Sequence, residues 1–590
     1  MLSITELPVL ALLFPAAATL LCSALGRPWP RHPAFWARWV LRAGLLLGLA
    51  DAIAVLDRLQ PGGALQTTLW RLDSKLPISL SVDTTGTVIA ILVLVSALVV
   101  SFAARDRRPL TSAALGLAAL GAVGAAFSGD LLGLYIGLQL STLGGIGLSY
   151  ARQPRAASSR MVWAASADQA IGLVWLGAMV LLLHQTATLQ LNAIPTSSVG
   201  PALSGLLLLP AVVRLAGCGL VAGSARAGRQ ESVGRSLDVA DWLAVVGVPT
   251  ILLLLVRIQS LSGGSWPVVW FGTCLDLLAL GLGLVAVVSL LASSNPHSAL
   301  RSLLLLLAAL VVVGFGQNSA DGTLLALTAG LFLEISSVFL PRAMLSRPRR
   351  RRWSPSLPSQ SLRVKTVLSG AVTLAPCWLG LMVALLGLDL AFRSGLRWGV
   401  TPALAYSLAL AGLVLTVPRL LRESTPPEGW SWVLWLPVFC LAAAVLLPGW
   451  AVTVAAAALA PPGTLAAGLL SAPDPLVIAA PGLLWPGGYL VLLSLIAGGG
   501  LWALWVVMGG SESLVAPTQG SDLTPALARP TRVRGWVVRG FGPPTWAKEA
   551  RGWYSTLARL ADREAAERPV WLWIGATAMA AYLLAEMVRL

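Results

Sequence analysis

The chain repeats one unit from end to end: an apolar run of about 20 residues, the length that carries a helix across the hydrocarbon of a bilayer, closed by a polar loop. With 57% hydrophobic and 11% charged residues among 590, and a mean hydropathy of +0.80, these runs cannot all be hidden in a water-soluble core. A bilayer offers no water to backbone N–H and C=O groups, so each run is expected to be a helix. About sixteen spans fit, with bounds good to several residues: residues 2–25, 39–56, 84–104, 110–127, 129–149, 161–183, 202–222, 240–258, 268–292, 300–316, 322–343, 366–391, 402–418, 431–458, 485–508 and 569–588. The expected fold class is all-α, a polytopic integral membrane protein with no soluble stretch long enough for a catalytic domain. Residues 1–25 lack a basic start and carry Glu6, so they read as a retained span and not as a cleaved signal.

The loops give an orientation. Lys and Arg gather in cytoplasmic loops, and here they alternate. Arg27, Arg31 and Arg38 follow the first span, Arg105 to Arg108 the third, Arg152 to Arg160 the fifth, Arg226 to Arg235 the seventh, and the run Arg347 to Trp353 the eleventh. The loops at 184–201, 259–267, 317–321 and 459–484 have no Lys or Arg, whereas Arg58, Arg71, Arg393 and Arg397 break the pattern elsewhere. Both termini are thus expected on the outer side. The net charge of +16 reads as basic loops against an anionic leaflet, with no nucleic-acid partner.

Cys22, Cys218, Cys274, Cys377 and Cys440 stand singly, and His32, His184 and His297 lie at loops or at a span end. Neither set has metal or redox spacing, so no metal and no cofactor is expected. GLGLVA from Gly281 sits inside a span, where glycines serve close helix packing, so it is no nucleotide loop. Residues 509–568 are polar and rich in Pro and Arg. Trp546, Trp553, Leu557 and Leu560 recur there at helical spacing opposite Lys548, Glu549, Arg559 and Asp562. An amphipathic helix on the cytoplasmic surface is expected, either as a clamp on a neighbouring subunit or as an interfacial linker.

Polar residues inside apolar spans carry the functional signal, because each intramembrane charge costs about 2.5 to 3.5 kcal/mol at the bilayer centre. Gly129 to Tyr150 holds one amide, Gln139, near its middle; Asp168, Arg214, Asp241, Arg257, Asp276 and Glu334 lie in or at the edge of other spans. Two readings compete. The groups could move ions, or Asp241 and Arg257 could snorkel to the surface while Asp276 and Glu334 are satisfied by hydrogen bonds within the bundle.

Several of these segments resemble one family. ISLSVDTTGTVIAILVLVSALVVSFAAR from Ile78 is similar to the start of the third span in the antiporter-like subunits shared by respiratory complex I, membrane-bound hydrogenases and Mrp-type sodium/proton antiporters, with Asp83 at the family's structural aspartate. Gly129 to Tyr150 resembles the family's fifth span, with Leu138 and Gln139 in place of its Trp and Glu. ADQAIGLVWLGAMVLL from Ala167 resembles the sixth and keeps Asp168; LLLLPAVVRLAGCGL from Leu206 resembles the seventh, with Arg214 at the buried lysine. In TLLALTAGLFLEISSVFL, Ala329 and Leu333 stand where the family has His and Lys. The resemblance covers about residues 70–420, and more weakly the amphipathic helix and last span, where the complex I member with a long lateral helix is the best match.

The resemblance implies a division into N-terminal helices (1–70), an antiporter-like core (71–420), additional helices (421–508), a cytoplasmic-face linker with a lateral amphipathic helix (509–568) and a final span (569–590). It also implies partner membrane subunits in a plasma, inner or thylakoid-type energy-transducing membrane. Any NADH, ferredoxin or quinone chemistry would belong to those partners, the chain being at most a non-catalytic subunit. Relay of a proton needs groups that change charge, yet Gln139 does not titrate and a guanidinium stays protonated up to about pH 12. Gln139, Asp168, Arg214 and Glu334 are the proton or ion pathway candidates. A degenerate, structural subunit is the first expectation. An active proton or sodium translocator, possible partner of inorganic carbon uptake, is the alternative. Asp168 is expected to pair with Arg214.

Overall fold

In the computed structural model of the chain the described residues are 14, 16–19, 21, 33–59, 64–73, 76–103, 109–152, 158–223, 243–264, 266, 268–292, 296–345, 359–394, 396–423, 435–459, 476–480, 483–486 and 488–489. The chain divides into two compact units, Met1–Gly488 with Ile574–Leu590, and Tyr489–Trp573. The expected amphipathic helix, the last span, the arginine run at 347–353 and Asp241 lie outside the described residues.

The described part of the first unit is a helical bundle: α1 (Pro33–Arg58), α2 (Thr84–Ala103), α3 (Pro109–Ala126), α4 (Leu131–Arg152), α5 (Ser158–Thr186), α6 (Pro201–Gly223), α7 (Val248–Leu261), α8 (Val269–Ala292), α9 (Pro296–Gly316), α10 (Ala320–Leu345), α11 (Ser359–Arg393), α12 (Leu396–Glu423), α13 (Trp435–Leu446) and α14 (Pro448–Leu459). Pro33, Pro109, Pro201, Pro296 and Pro448 each open a helix, where the missing N–H is no loss and the fixed φ suits the first turn. Among the described residues eight helices are long and apolar enough to cross a membrane, and four shorter apolar stretches accompany them. They fall in order on the expected spans from 39–56 to 402–418.

Many large apolar side chains point outward. Trp270, Leu277, Leu284 and Val288 of α8 are each about half exposed, while Phe271, Leu275, Leu282 and Ala286 of the same helix are buried. An apolar outer surface over an apolar core is stable only against lipid or another membrane subunit. This is an integral membrane protein.

The structure departs from the expected spans in two places. The expected span 431–458 is two short helices, α13 and α14, parted at Leu447 because Pro448 has no N–H to continue the ladder and disfavours helical geometry in the residue before it. The loop ahead of α2 is an antiparallel hairpin of β1 (Leu65–Asp73) and β2 (Leu76–Val82), pairing Leu65 with Val82 and Thr68 with Ser79. The alternation Ile78-Ser79-Leu80-Ser81-Val82 is the strand signal the helical reading passed over. A second, three-residue hairpin joins β3 (Ile478–Ala480) and β4 (Leu483–Trp485).

Asp130 ties the first hairpin to the bundle. It stands just before α4 and caps it, Oδ1 accepting the Gly133 N–H at 2.6 Å, while Oδ2 accepts the Ser79 N–H of β2 at 2.6 Å. α4 then lies backbone to backbone against α3. A Cβ on Gly121 would sit 2.2 Å from the Ser141 nitrogen, and one on Gly144 would sit 2.2 Å from the Ala118 nitrogen. Only small residues permit this approach, which holds Gln139 and Thr142 of α4 at fixed depth.

Candidate functional site: a line of buried polar side chains

Arg214 sits in α6 one turn past Pro210, the proline inside that helix. It is 4% exposed. Its Nη1 donates to Thr250 Oγ1 at 2.9 Å, and its Nη2 donates to Thr142 Oγ1 at 3.0 Å and to the Leu138 carbonyl at 3.3 Å. One guanidinium thereby joins α6 to α4 and α7. The Thr250 hydroxyl donates to the Val246 carbonyl one turn earlier at 2.5 Å, the usual back-bond of a helical threonine, in the π-helical turn Leu243–Gly247 that precedes α7. The oxygen lone pairs then face Arg214. Ahead of Pro210, Trp175 of α5 donates its indole N–H to the Leu207 carbonyl at 2.9 Å, meeting backbone in the turn the proline disturbs.

Gln139, three residues before Thr142, lies against α5. A Cβ on Gly172 would stand 2.5 Å from its Nε2, so glycine is what leaves room for the amide. Asp168 is one turn before Gly172 on α5, and its side chain lies outside the described residues.

Further along α7, Arg257 reaches Asp83 with Nη1 to Oδ2 at 2.6 Å and Nη2 to Oδ1 at 2.8 Å. Asp83 is also the cap of α2, its Oδ1 accepting the Gly86 N–H at 2.8 Å. Arg257 is thus paired with a carboxylate 174 positions away in sequence, a partner that neither the ion-moving nor the snorkelling reading had named. Two residues on, Gln259 donates to Thr323 of α10 at 3.1 Å.

Glu334 of α10 is buried to 1% exposure. Its Oε1 accepts the Ser96 hydroxyl of α2, and its Oε2 has no hydrogen-bond partner among the described residues. Asp276 of α8 is 4% exposed; Oδ2 meets Thr401 Oγ1 at 3.5 Å, and Oδ1 has no hydrogen-bond partner among the described residues. The expectation that hydrogen bonds within the bundle satisfy both acids is therefore corrected to half-satisfaction. On the same helix Ala329 is fully buried and Leu333 nearly so, while Ser336 and Ser337 are buried beside Glu334.

No family model matches the chain, and no curated protein does. Solved structures do. A chain of the Mrp complex from a Dietzia species superposes with a TM-score of 0.60 at 19% identity, over 95% of this chain and 62% of that one. The fold is that of the antiporter-like membrane subunits. A chain of the membrane-bound sulfane sulfur reductase, an archaeal respiratory membrane complex, matches the antiporter-like fold with a TM-score of 0.56 at 14% identity, over 98% of this chain and 99% of that one. A chain of Thermus thermophilus respiratory complex I superposes more loosely, with a TM-score of 0.48 at 20% identity, over 76% and 99%. This chain spans only about three fifths of the Mrp neighbour's length.

Within this antiporter-like bundle the described polar groups divide by chemistry. Arg214 and the Asp83–Arg257 pair are permanent charges met by fixed partners. Glu334 and Asp276 are two acids inside the bundle that each have an oxygen without a hydrogen-bond partner among the described residues, and so are groups that could take up a proton or a cation. Sequence reading named Asp83, Gln139, Arg214 and Glu334 individually. It missed Ser96, Thr142 and Thr250, whose residue types are common in spans and whose roles come only from what faces them.

Proposed function

We propose that the chain is an antiporter-like subunit of a multisubunit membrane complex of the Mrp or complex I type, degenerate in its relay and serving structure and assembly in an energy-transducing membrane. The observation that carries this reading is the binding of Arg214. A guanidinium does not release its proton at physiological pH, and this one is spread over a threonine of α7 and two acceptors on α4, which favours a static clamp over a carrier. Gln139 of α4 does not titrate, and Ala329 and Leu333 are apolar. Residues 546–588 would hold the neighbouring subunit, and electron-transfer chemistry would reside in partners.

The unmet Oε2 of Glu334 favours a second reading, in which the bundle still translocates a proton or Na+, with inorganic carbon uptake as one setting. The two separate in sealed vesicles containing the intact complex purified from native membranes. On the first reading Gln139→Ala and Glu334→Gln both leave cation-coupled proton flux unchanged. A fully assembled complex that loses flux with either substitution establishes the second.

A further inference from the structure

Around the end of α9 lie three buried oxygen atoms that have no hydrogen-bond partner among the described residues. Asp276 Oδ1 is one. Gly316, the last residue of α9, lies so close that a Cβ there would stand 2.2 Å from that oxygen. The next residue, Gln317, donates its Nε2 to the Gly387 carbonyl of α11 at 3.3 Å and leaves Oε1 buried and unmet. The ring of Tyr406 of α12 packs on the same Gly387, where a Cβ would fall 2.1 Å from Cζ. Tyr406 is fully buried, and its hydroxyl has no hydrogen-bond partner among the described residues; Thr401, five residues earlier on α12, meets Asp276. Asn318, in left-handed geometry at φ 50°, closes the turn to α10 and so holds Gln317 in place; its Oδ1 accepts the Trp266 N–H at 2.7 Å.

The balance of charge here is one-sided. No Lys or Arg pairs with Asp276 among the described residues, its contact with Thr401 is long, and the C-terminal end of α9 adds negative partial charge beside it. A buried carboxyl group in such surroundings is neutralised by a proton or by a bound cation. Every group offered to a cation here is an oxygen, one of them from a carboxyl group. Oxygen ligands select hard cations, and Ca2+ typically draws six to eight of them with several carboxylates. Among the described residues no three His, Cys, Asp or Glu gather as they would for a divalent metal.

We propose that Asp276, Thr401, Gln317 and Tyr406 form a binding site for a small monovalent alkali cation of the Na+ class, bound as a fixed structural ion that joins α8, α9 and α12. The site is independent of whether the bundle conducts protons. The ion neutralises Asp276 and takes the Gln317 Oε1, Tyr406 and Thr401 oxygens as its neutral ligands.

The test uses the full-length protein purified in detergent, with thermal unfolding followed at constant pH and ionic strength while NaCl, LiCl or KCl replaces choline chloride. An ion bound only by the native state raises the midpoint in a saturable way. Na+ should therefore stabilise where choline does not, Asp276→Asn should abolish the response, and Gln317→Leu should raise the half-saturating concentration about tenfold, the equivalent of one lost ligand. If Asp276→Asn does not fold, Gln317→Leu and Thr401→Val carry the test through the same shift. A midpoint indifferent to the cation overturns the proposal, as does a Na+ response that survives Asp276→Asn unchanged. Stabilisation by acid alone, with no cation response, also overturns it and assigns a proton to Asp276.

Discussion

Arg257 holds Asp83 in a two-pronged ion pair, with N···O distances of 2.6 and 2.8 Å and side chains only 13% and 20% exposed. The pair fixes the start of α2 to the last turns of α7. Arg257→Ala leaves the carboxylate in a poorly solvated site, and breaking a buried pair costs about 3 to 5 kcal/mol; the residual exposure places the expected loss near about 3. Arg257→Lys is expected to fall between, since an ammonium cannot form the fork. The double substitution Asp83→Asn with Arg257→Leu should regain part of the loss, and thermal unfolding in detergent reads all three.

Gly144 meets the backbone of α3 at Ala118. Gly144→Val would place a side chain in space that backbone occupies, so α3 and α4 must separate and the Thr142 contact to Arg214 moves with them. Loss of monodisperse protein on size-exclusion chromatography is expected, whereas Gly177→Ala, where a Cβ would meet nothing within 4 Å, should behave as the parent.

Thr250 accepts from Arg214 and donates to Val246. Thr250→Val keeps the shape and removes both bonds, with an expected loss of about 1 to 3 kcal/mol for a charged donor left unmet. Thr250→Ser should retain nearly all of the stability. Equal midpoints for the two variants would remove Thr250 from the clamp.

Glu334 depends on Ser96 for its described side-chain hydrogen bond. Ser96→Ala leaves both carboxylate oxygens without a donor and should lower stability by about 1 to 3 kcal/mol. Combined with Glu334→Leu, which removes the acid as well, the same substitution should cost less than it does alone. A double-mutant cycle on the unfolding midpoint measures the coupling.

The lateral segment gives the assembly prediction. Truncation after Ser511 removes residues 512–590, among them the Ile574–Leu590 part of the first unit, and the shortened chain should no longer co-purify with its complex. Normal assembly of the shortened chain would assign the clamp elsewhere.

Read by itself, the sequence determined the places of the spans, because a run of apolar residues about 20 long is a local property that a bilayer converts directly into a helix. The prolines that open α1, α3, α6 and α9, and the one that parts α13 from α14, act just as locally. So does the chemistry lost at Gln139, Arg214, Ala329 and Leu333, since whether a side chain can titrate is a matter of its identity. Partnership is different. Arg257 meets Asp83 across 174 positions, Glu334 meets Ser96 across 238, and Asp276 meets Thr401 across 125. Which helix faces which is set by packing summed over the whole bundle, down to glycines that let two backbones touch. Only the tertiary structure therefore decided that Arg257 is paired while Glu334 and Asp276 each keep one oxygen without a hydrogen bond among the described residues, and that Gln317 and the ring of Tyr406 both meet Gly387.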